Sequence, residues 1–111
     1  MPAESVTVEQ CATHCNDCKS VCEQTLAYCL DKGGKHVGSE HINLLLDCIN
    51  ICDTCASACD RKSANHMVTC KACAEICRKC ADSCASFEGD KQMQRCAEAC
   101  RTCADSCRSM T

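Results

Sequence analysis

One motif, C-x3-C-x2-C-x3-C, occurs four times in this 111-residue chain and limits its fold more than any other feature. Its steps of four, three and four residues match the period of an α-helix, about 3.6 residues per turn. On each helix the four cysteines then fall within a wedge of roughly 40–60°, which makes one continuous seam. The four copies are Cys11, Cys15, Cys18 and Cys22; Cys48, Cys52, Cys55 and Cys59; Cys73, Cys77, Cys80 and Cys84; and Cys96, Cys100, Cys103 and Cys107.

The two remaining cysteines belong to the same seams, so that none of the 18 cysteines is left over. Cys70 precedes the third copy by three residues, and Cys29 follows the first copy by seven. The chain has one Phe, one Tyr and no Trp, and its large aliphatic residues concentrate around residues 42–51. Cysteine, a small and weak hydrophobe, must therefore fill much of the interior.

Signals that start and stop helices fall between the repeats. Thr7 and Gln10 form a capping-box pattern before the first seam, and glycines follow the first and third seams. The predicted helices are 7–31, 40–61, 64–87 and 91–109, with caps expected from Ser39, from Ser63 or Asn65, and from Asp90. Connections this short favour antiparallel neighbours. The sequence predicts an all-α fold, in which residues 1–111 form one domain, an antiparallel up-down-up-down four-helix bundle with a cysteine-lined core.

Composition excludes several classes of partner. The net charge is −3 with both signs interspersed, so no basic stripe offers a nucleic-acid site. We find no apolar run of membrane-spanning length and expect no membrane partner. The first ten residues lack a basic start, an apolar core and a cleavage site, so we expect a cytoplasmic protein rather than a secreted one. Cytosolic thiols stay reduced, which favours metal binding over disulfides.

The chemistry of the seams favours Cu(I). Thiolates at i and i+4 lie on one helix face and suit soft metals, namely Cu(I), zinc or iron–sulfur clusters. A zinc ion bound by four thiolates, one from each helix, carries a net charge of about −2. Four such layers along the bundle would bury a charge of roughly −8, and the seams have no Lys or Arg to offset it. Each Cu⁺ instead replaces one thiol proton, so a core with about one copper per cysteine stays neutral.

Other uses of the seams remain open at this stage. Iron–sulfur clusters usually draw on cysteines in loops, and i, i+4 cysteines have poor disulfide geometry, although bridges between helices are possible. Zinc or general soft-metal sequestration, in the manner of a metallothionein, is the alternative to copper storage; a structural bundle with redox-active thiols is the third hypothesis. No histidine–carboxylate pair converges with a nucleophile, so we expect no enzyme.

These four helices, without loop cysteines or a secretory signal, resemble the cytosolic members of the bacterial copper storage protein family. The resemblance covers essentially the whole chain. It implies a four-helix bundle that stores multiple Cu(I) ions for copper homeostasis, and assembly of such bundles into a tetramer. It also implies a histidine at the open end of the bundle, which His41 matches best. The sequence indicates no particular copper chaperone.

The seams extend beyond their terminal cysteines. His41 lies seven residues before Cys48 and His66 seven before Cys73, so we predict both as copper ligands beside the 18 cysteines. We expect copper to enter at the end that holds His41. Met93 and Met110 flank the fourth seam and are more typical of filling side chains.

Three further expectations concern the surface. His14 flanks its seam and His36 falls in a loop, so both are predicted to be solvated. Ile42, Leu46 and Ile49 point away from the second seam, which predicts a subunit interface there.

Overall fold

The computed structural model describes residues 6–111, which contain four long α-helices. A short 3-10 helix, Gly34–Val37, joins the first two. Each long helix packs against two neighbours in the order of the chain, and the fourth closes the ring against the first. The all-α four-helix bundle is thereby confirmed. The helices are α1 (Val8–Lys32), α2 (Ser39–Asp60), α3 (His66–Ala85) and α4 (Lys91–Ser109).

The predicted caps hold at two helix starts. The Thr7 hydroxyl accepts from the Gln10 N–H at 3.1 Å, and the Gln10 side chain accepts from the Thr7 N–H at 2.9 Å. Asp90 accepts from the N–H of Met93 and caps α4. Gly33 ends α1 with a φ of 69°, a left-handed conformation that favours glycine.

The cap predicted for α2 is wrong, and the one predicted for α3 is correct in position only. Ser39 is already inside α2, whose N-cap position belongs to Gly38, because the helix begins one residue earlier than expected. Asn65 occupies the N-cap of α3, but its side chain makes no capping bond. Ser63 instead accepts from the Asn65 N–H at 3.1 Å. α3 is also shorter than predicted, because tight turns hold residues 86 and 87 after Ala85.

The core is made of sulfur and small side chains, as the composition predicts. All 18 cysteines are buried, each at most 1 % exposed. Alanines on the helix faces next to them allow the helices to approach closely, and Leu45, Met93 and Thr25 are the largest side chains with no exposure. The buried alanines are Ala12, Ala56, Ala58, Ala74, Ala81, Ala97 and Ala104.

Of the three apolar residues predicted to point away from the cysteine seam of α2, one lies in the core and the others are partly or largely exposed. Ile49 is only 8 % exposed and belongs to the core, whereas Leu46 is 40 % exposed and Ile42 is half-buried. Contrary to the sequence expectation, α2 is also long and apolar enough to cross a membrane. That finding is weak evidence for a membrane, because a core helix meets the same criteria, and the cysteine seam of α2 is buried inside the bundle.

Candidate metal centre

The cysteines of different helices interdigitate into one sulfur network along the bundle axis. Cys55 and Cys70 approach to 3.4 Å between sulfurs, and Cys48 and Cys77 to 3.6 Å. The other sulfur–sulfur hydrogen bonds extend to 4.0 Å and also join α1 with α4. These distances are far beyond the roughly 2.05 Å of a disulfide, and all 18 cysteines are free thiols.

Groups of four cysteines converge closely enough to hold a metal ion. Within each group all ligand sulfurs lie within 4.8 Å of one another. The groups overlap, since Cys11, Cys15, Cys18, Cys48 and Cys107 each belong to more than one. Cys52 joins the two sets of overlapping groups, because its sulfur lies 3.9 Å from those of Cys73 and Cys103. The thiols therefore form a continuous series rather than separate four-ligand sites. Five of the groups are Cys11, Cys55, Cys59, Cys70; Cys11, Cys15, Cys55, Cys107; Cys15, Cys73, Cys103, Cys107; Cys18, Cys22, Cys48, Cys100; and Cys18, Cys48, Cys52, Cys77.

Burial favours the protonated form of three thiols near the ends of this series, Cys29, Cys59 and Cys70. Desolvation, aided by the charges of Cys96 and Asp90, raises the pKa of Cys29 from 9.0 to about 11. Desolvation likewise raises the pKa of Cys59 and of Cys70. A metal ion that binds such a thiol must displace its proton. The buried polar and charged side chains of residues 6–111 are Thr25, His41 and Ser106, so no buried Lys or Arg balances an anionic metal site there.

At one end of the bundle, the series finishes in a nitrogen and a thioether. His41 Nε2 lies 3.5 Å from the Cys29 sulfur, and the Cys29 thiol donates to the Met93 sulfur at 3.7 Å. Phe87 packs on His41 with ring centroids 4.9 Å apart. Desolvation lowers the pKa of His41, which favours a neutral imidazole with a free lone pair. We call this cluster of Cys29, His41, Phe87 and Met93 the His41 end.

Residues 33–38, which we call the strap, cross the His41 end and contradict the prediction of a solvated His36. His36 Nε2 lies 2.9 Å from an Asp90 carboxylate oxygen, and its ring packs on Phe87 at 4.5 Å. The Tyr28 hydroxyl donates to the same carboxylate at 2.9 Å. Burial opposes ionisation of Asp90, but hydrogen bonds with His36, Met93 N–H and Tyr28 hold the pKa of its carboxyl below the ordinary value. Asp90 thus ties the strap to α1 and α4.

The opposite end, which we call the His66 end, is richer in thiols. Cys11, Cys55, Cys59 and Cys70 converge there, next to the start of α3. His66 Nδ1 is buried without a hydrogen-bond partner, and within residues 6–111 no hydrogen bond joins its ring to a thiol. The two predicted histidines therefore differ, since His41 contacts a seam cysteine.

Thr25 and Leu45 fill the gaps between the last seam residues at the His41 end, as their spacing from Cys22 and Cys48 indicates. Two serines near the seams were missed by the sequence analysis. Ser83 accompanies His41, with its Oγ 2.7 Å from His41 Nδ1. The prediction of a solvated His14 is wrong, because His14 is half-buried and hydrogen bonds with the buried Ser106. No sequence signal marked either serine.

Comparison with known proteins gives consistent matches over most of the chain. The copper storage protein family model matches residues 4–111. An uncharacterised cysteine-rich protein of Bacillus subtilis (strain 168) is 36% identical over 82 residues, 74% of this chain and 76% of that protein. The Cu(I)-bound copper storage protein BsCsp3 of Bacillus subtilis superposes with a TM-score of 0.85 at 36% identity, covering 92% of this chain and 95% of that one. A cytosolic copper storage protein from Streptomyces lividans, with five coppers, has a TM-score of 0.83 at 27% identity, covering 93% and 90% of the two chains.

Proposed function

Because the chain belongs to the copper storage protein family, we propose that it stores and buffers Cu(I) in the cytosol on the thiolates of its bundle core. Loading exchanges one thiol proton for each Cu⁺, so the filled interior stays close to neutral. We propose that the chain acts as a store and catalyses no reaction. We further treat residues 1–111 as one copper-binding domain.

The overlap between the four-cysteine groups is the observation that best supports copper over zinc. A separate structural zinc site takes four ligands in a tetrahedron. Neighbouring groups share members such as Cys15 and Cys107, so separate zinc sites would compete for the same ligands. Soft Cu(I) suits this sulfur series, and a neutral core avoids the cost of burying several anionic sites.

We propose that all 18 cysteines and both seam histidines are ligands. The cysteines provide capacity, since their sulfurs form the network. His41 is proposed as the ligand through which copper enters, on the basis of its 3.5 Å contact with Cys29. For His66 the supporting observation is its buried, unpartnered Nδ1 beside a thiol-rich end. An imidazole nitrogen suits Cu(I).

We also propose that the chain assembles into a tetramer. The supporting observation is apolar surface on α2 and the strap, where Leu46 is 40% exposed and Val37 39% exposed. A contiguous exposed apolar patch marks a protein interface, and the proposal takes Leu46 and Val37 as parts of one such patch. Sedimentation of the reduced protein at several concentrations tests this proposal, and a monomer at all concentrations would contradict it.

Anaerobic titration of the reduced protein with Cu(I), and separately with Zn(II), tests the function. We expect about one copper per cysteine, roughly 18 per chain, measured against a competing chromophoric chelator. Proton release should accompany loading, at about one proton per copper. Saturation at about four metal ions for both Zn(II) and Cu(I) would support zinc sequestration instead.

A further inference from the structure

The Cys29, His41 and Met93 side chains bring three potential copper donors together at one end of the bundle. Cys29 is central, with its sulfur 3.5 Å from His41 Nε2 and 3.7 Å from the Met93 sulfur. Within residues 6–111, the sulfur hydrogen bonds of Cys29 go to these two residues rather than to another cysteine. The orientation of one imidazole ring therefore decides whether this end offers two donors or three.

Ser83 is the polar partner of that ring on its other side. Its Oγ lies 2.7 Å from His41 Nδ1, whereas Nε2 faces Cys29. The bond crosses from α3 to α2 and places the two ring nitrogens on different partners. His41 is only 6 % exposed, so no shell of water replaces the hydroxyl when it is removed. Phe87 packs at 4.9 Å and limits how far the ring can turn.

The chemistry of imidazole makes this arrangement selective. A neutral histidine carries its proton on one ring nitrogen, and the other nitrogen holds the lone pair that binds a metal. When Nδ1–H donates to the Ser83 oxygen, the lone pair of Nε2 faces Cys29, whose single thiol proton then points either to Nε2 or to Met93. A partner of this kind on the far nitrogen is how proteins fix the tautomer of a ligating histidine.

We propose that Ser83 is a positioning residue for copper transfer, which holds His41 in the tautomer and orientation that present Nε2 to an incoming Cu(I) ion beside Cys29 and Met93. This inference rests on the proposed role of His41 and extends it to a residue that does not touch copper. Ser83 contributes no ligand, so it changes the rate of transfer and leaves the capacity of the thiol core unaltered.

Three variants of the full chain separate this role from a structural one. Ser83→Ala removes the acceptor, and Ser83→Thr keeps a hydroxyl at the same place. Ser86→Ala is the matched control, since this exposed serine lies three residues further on and hydrogen bonds with the Ser83 carbonyl instead of with His41. His41→Ala establishes how far the rate falls when the ligand itself is absent.

Two measurements apply to the wild type and the serine variants, and the second alone applies to His41→Ala. Nitrogen-15 NMR of the reduced apo-protein reports the tautomer of His41 directly, and we expect the Nδ1–H form in the wild type. Anaerobic stopped-flow transfer of Cu(I) to a chelator gives the rate, and we expect about a 10-fold decrease in Ser83→Ala. Ser83→Thr and Ser86→Ala should transfer copper within twofold of the wild type. Capacity should be the same in all.

The outcomes distinguish failure of this inference from failure of the function it rests on. An Nε2–H tautomer in the wild type, or an unchanged tautomer and rate in Ser83→Ala while His41→Ala is slow, would overturn the role of Ser83 alone. A wild-type rate in His41→Ala would overturn the entry role of His41, and the Ser83 proposal with it. A wild-type protein that fails to bind about one copper per cysteine in the same titration would reject copper storage itself.

Discussion

The two ends of the bundle terminate the same four seams with different chemistry. At the His66 end the sulfur series continues to the last turns, where Cys11, Cys59 and Cys70 converge. At the His41 end, Thr25 lies between the cysteines of α1 and Cys29, and Leu45 lies between the cysteines of α2 and His41. Thiol density is thus high at one end, and at the other a single cysteine is surrounded by nitrogen, thioether and aromatic side chains. The difference separates a region suited to holding copper from a region suited to passing it.

Removal of thiols from the His66 end should have the largest effect on copper-dependent stability. Ligand at about 1,000 times its dissociation constant stabilises a folded protein by about 4 kcal/mol per site. Full Cu(I) loading of the wild type should therefore raise Tm by at least about 15 °C. The Cys11, Cys59, Cys70→Ser triple variant should bind about three fewer coppers and show a smaller increase, measured by calorimetry.

His41→Ala is the matching variant at the other end and should keep the full increase in Tm. Circular dichroism of the reduced apo-proteins provides the control, since we expect all of them to be mostly helical without metal. A coil spectrum before copper addition, or an unchanged wild-type Tm after it, would contradict a preformed bundle that copper stabilises.

Loss of a helix cap should lower the free energy of unfolding by different amounts at the two ends. Thr7→Ala at the His66 end removes one capping box and should cost about 1 kcal/mol. Asp90→Ala at the His41 end removes a cap together with the hydrogen bonds to His36 and Tyr28, and should cost about 2–3 kcal/mol. Urea unfolding of the apo-protein measures both. Asp105→Ala is the control, because its exposed pair with Arg108 contributes little; equal costs for Thr7 and Asp90 would show that the strap contacts do not stabilise the fold.

Replacement of His41 should change the rate of copper transfer more than replacement of His66. His41→Ala should slow uptake and removal of Cu(I) by about 10-fold, because the ligand that contacts Cys29 is lost. His66→Ala should leave both rates near those of the wild type. Stopped-flow exchange with a chelator measures these rates. The opposite result, with a slow His66→Ala and an unchanged His41→Ala, would mean that copper enters at the thiol-rich end.

The smallest expected effect concerns pH. An unfolded thiol ionises from about pH 9, whereas burial raises the pKa of Cys29 to about 11 and also raises that of Cys59. In the folded apo-protein, Cys29 and Cys59 therefore keep protons that the same thiols release in the unfolded chain. Its stability from these groups is complete below about pH 9 and is lost as pH rises towards 11.

Thermal melts of the apo-protein across this pH range measure the loss. Cys29→Ser and Cys59→Ser should each reduce the slope, one at either end of the bundle. Copper-loaded protein should show little slope, because its sulfurs carry no protons. A Tm that does not change between pH 9 and 11 would mean that the empty core already holds ionised thiols.

Sequence spacing predicted the parts of this molecule that follow from the period of a helix. A seam of cysteines can bury itself only against other seams, so the bundle and its buried thiols followed directly. His41 was found because it stands seven residues before Cys48, on the same face. The matched family agrees with this interpretation.

Contacts between helices, and the paths of loops, depend on information that spacing does not contain. Ser83 meets His41 because α3 and α2 adopt one relative rotation, which the seams alone do not fix. His36 reaches Asp90 because Gly33 and Gly34 adopt positive φ and direct the strap across the bundle. Ser39 had the chemistry of a cap, but it is the first residue of α2, and Gly38 occupies the N-cap position.

The burial of every cysteine also governs how the empty protein reacts. Sulfurs 3.4–4.0 Å apart need only small movements to form disulfides once an oxidant reaches them. With at most 1 % of each thiol exposed, a reagent reaches sulfur only when the helices separate locally. The rate of alkylation of the apo-protein therefore measures how often the bundle opens, and the same closure protects unfilled copper sites from oxidation between one loading and the next.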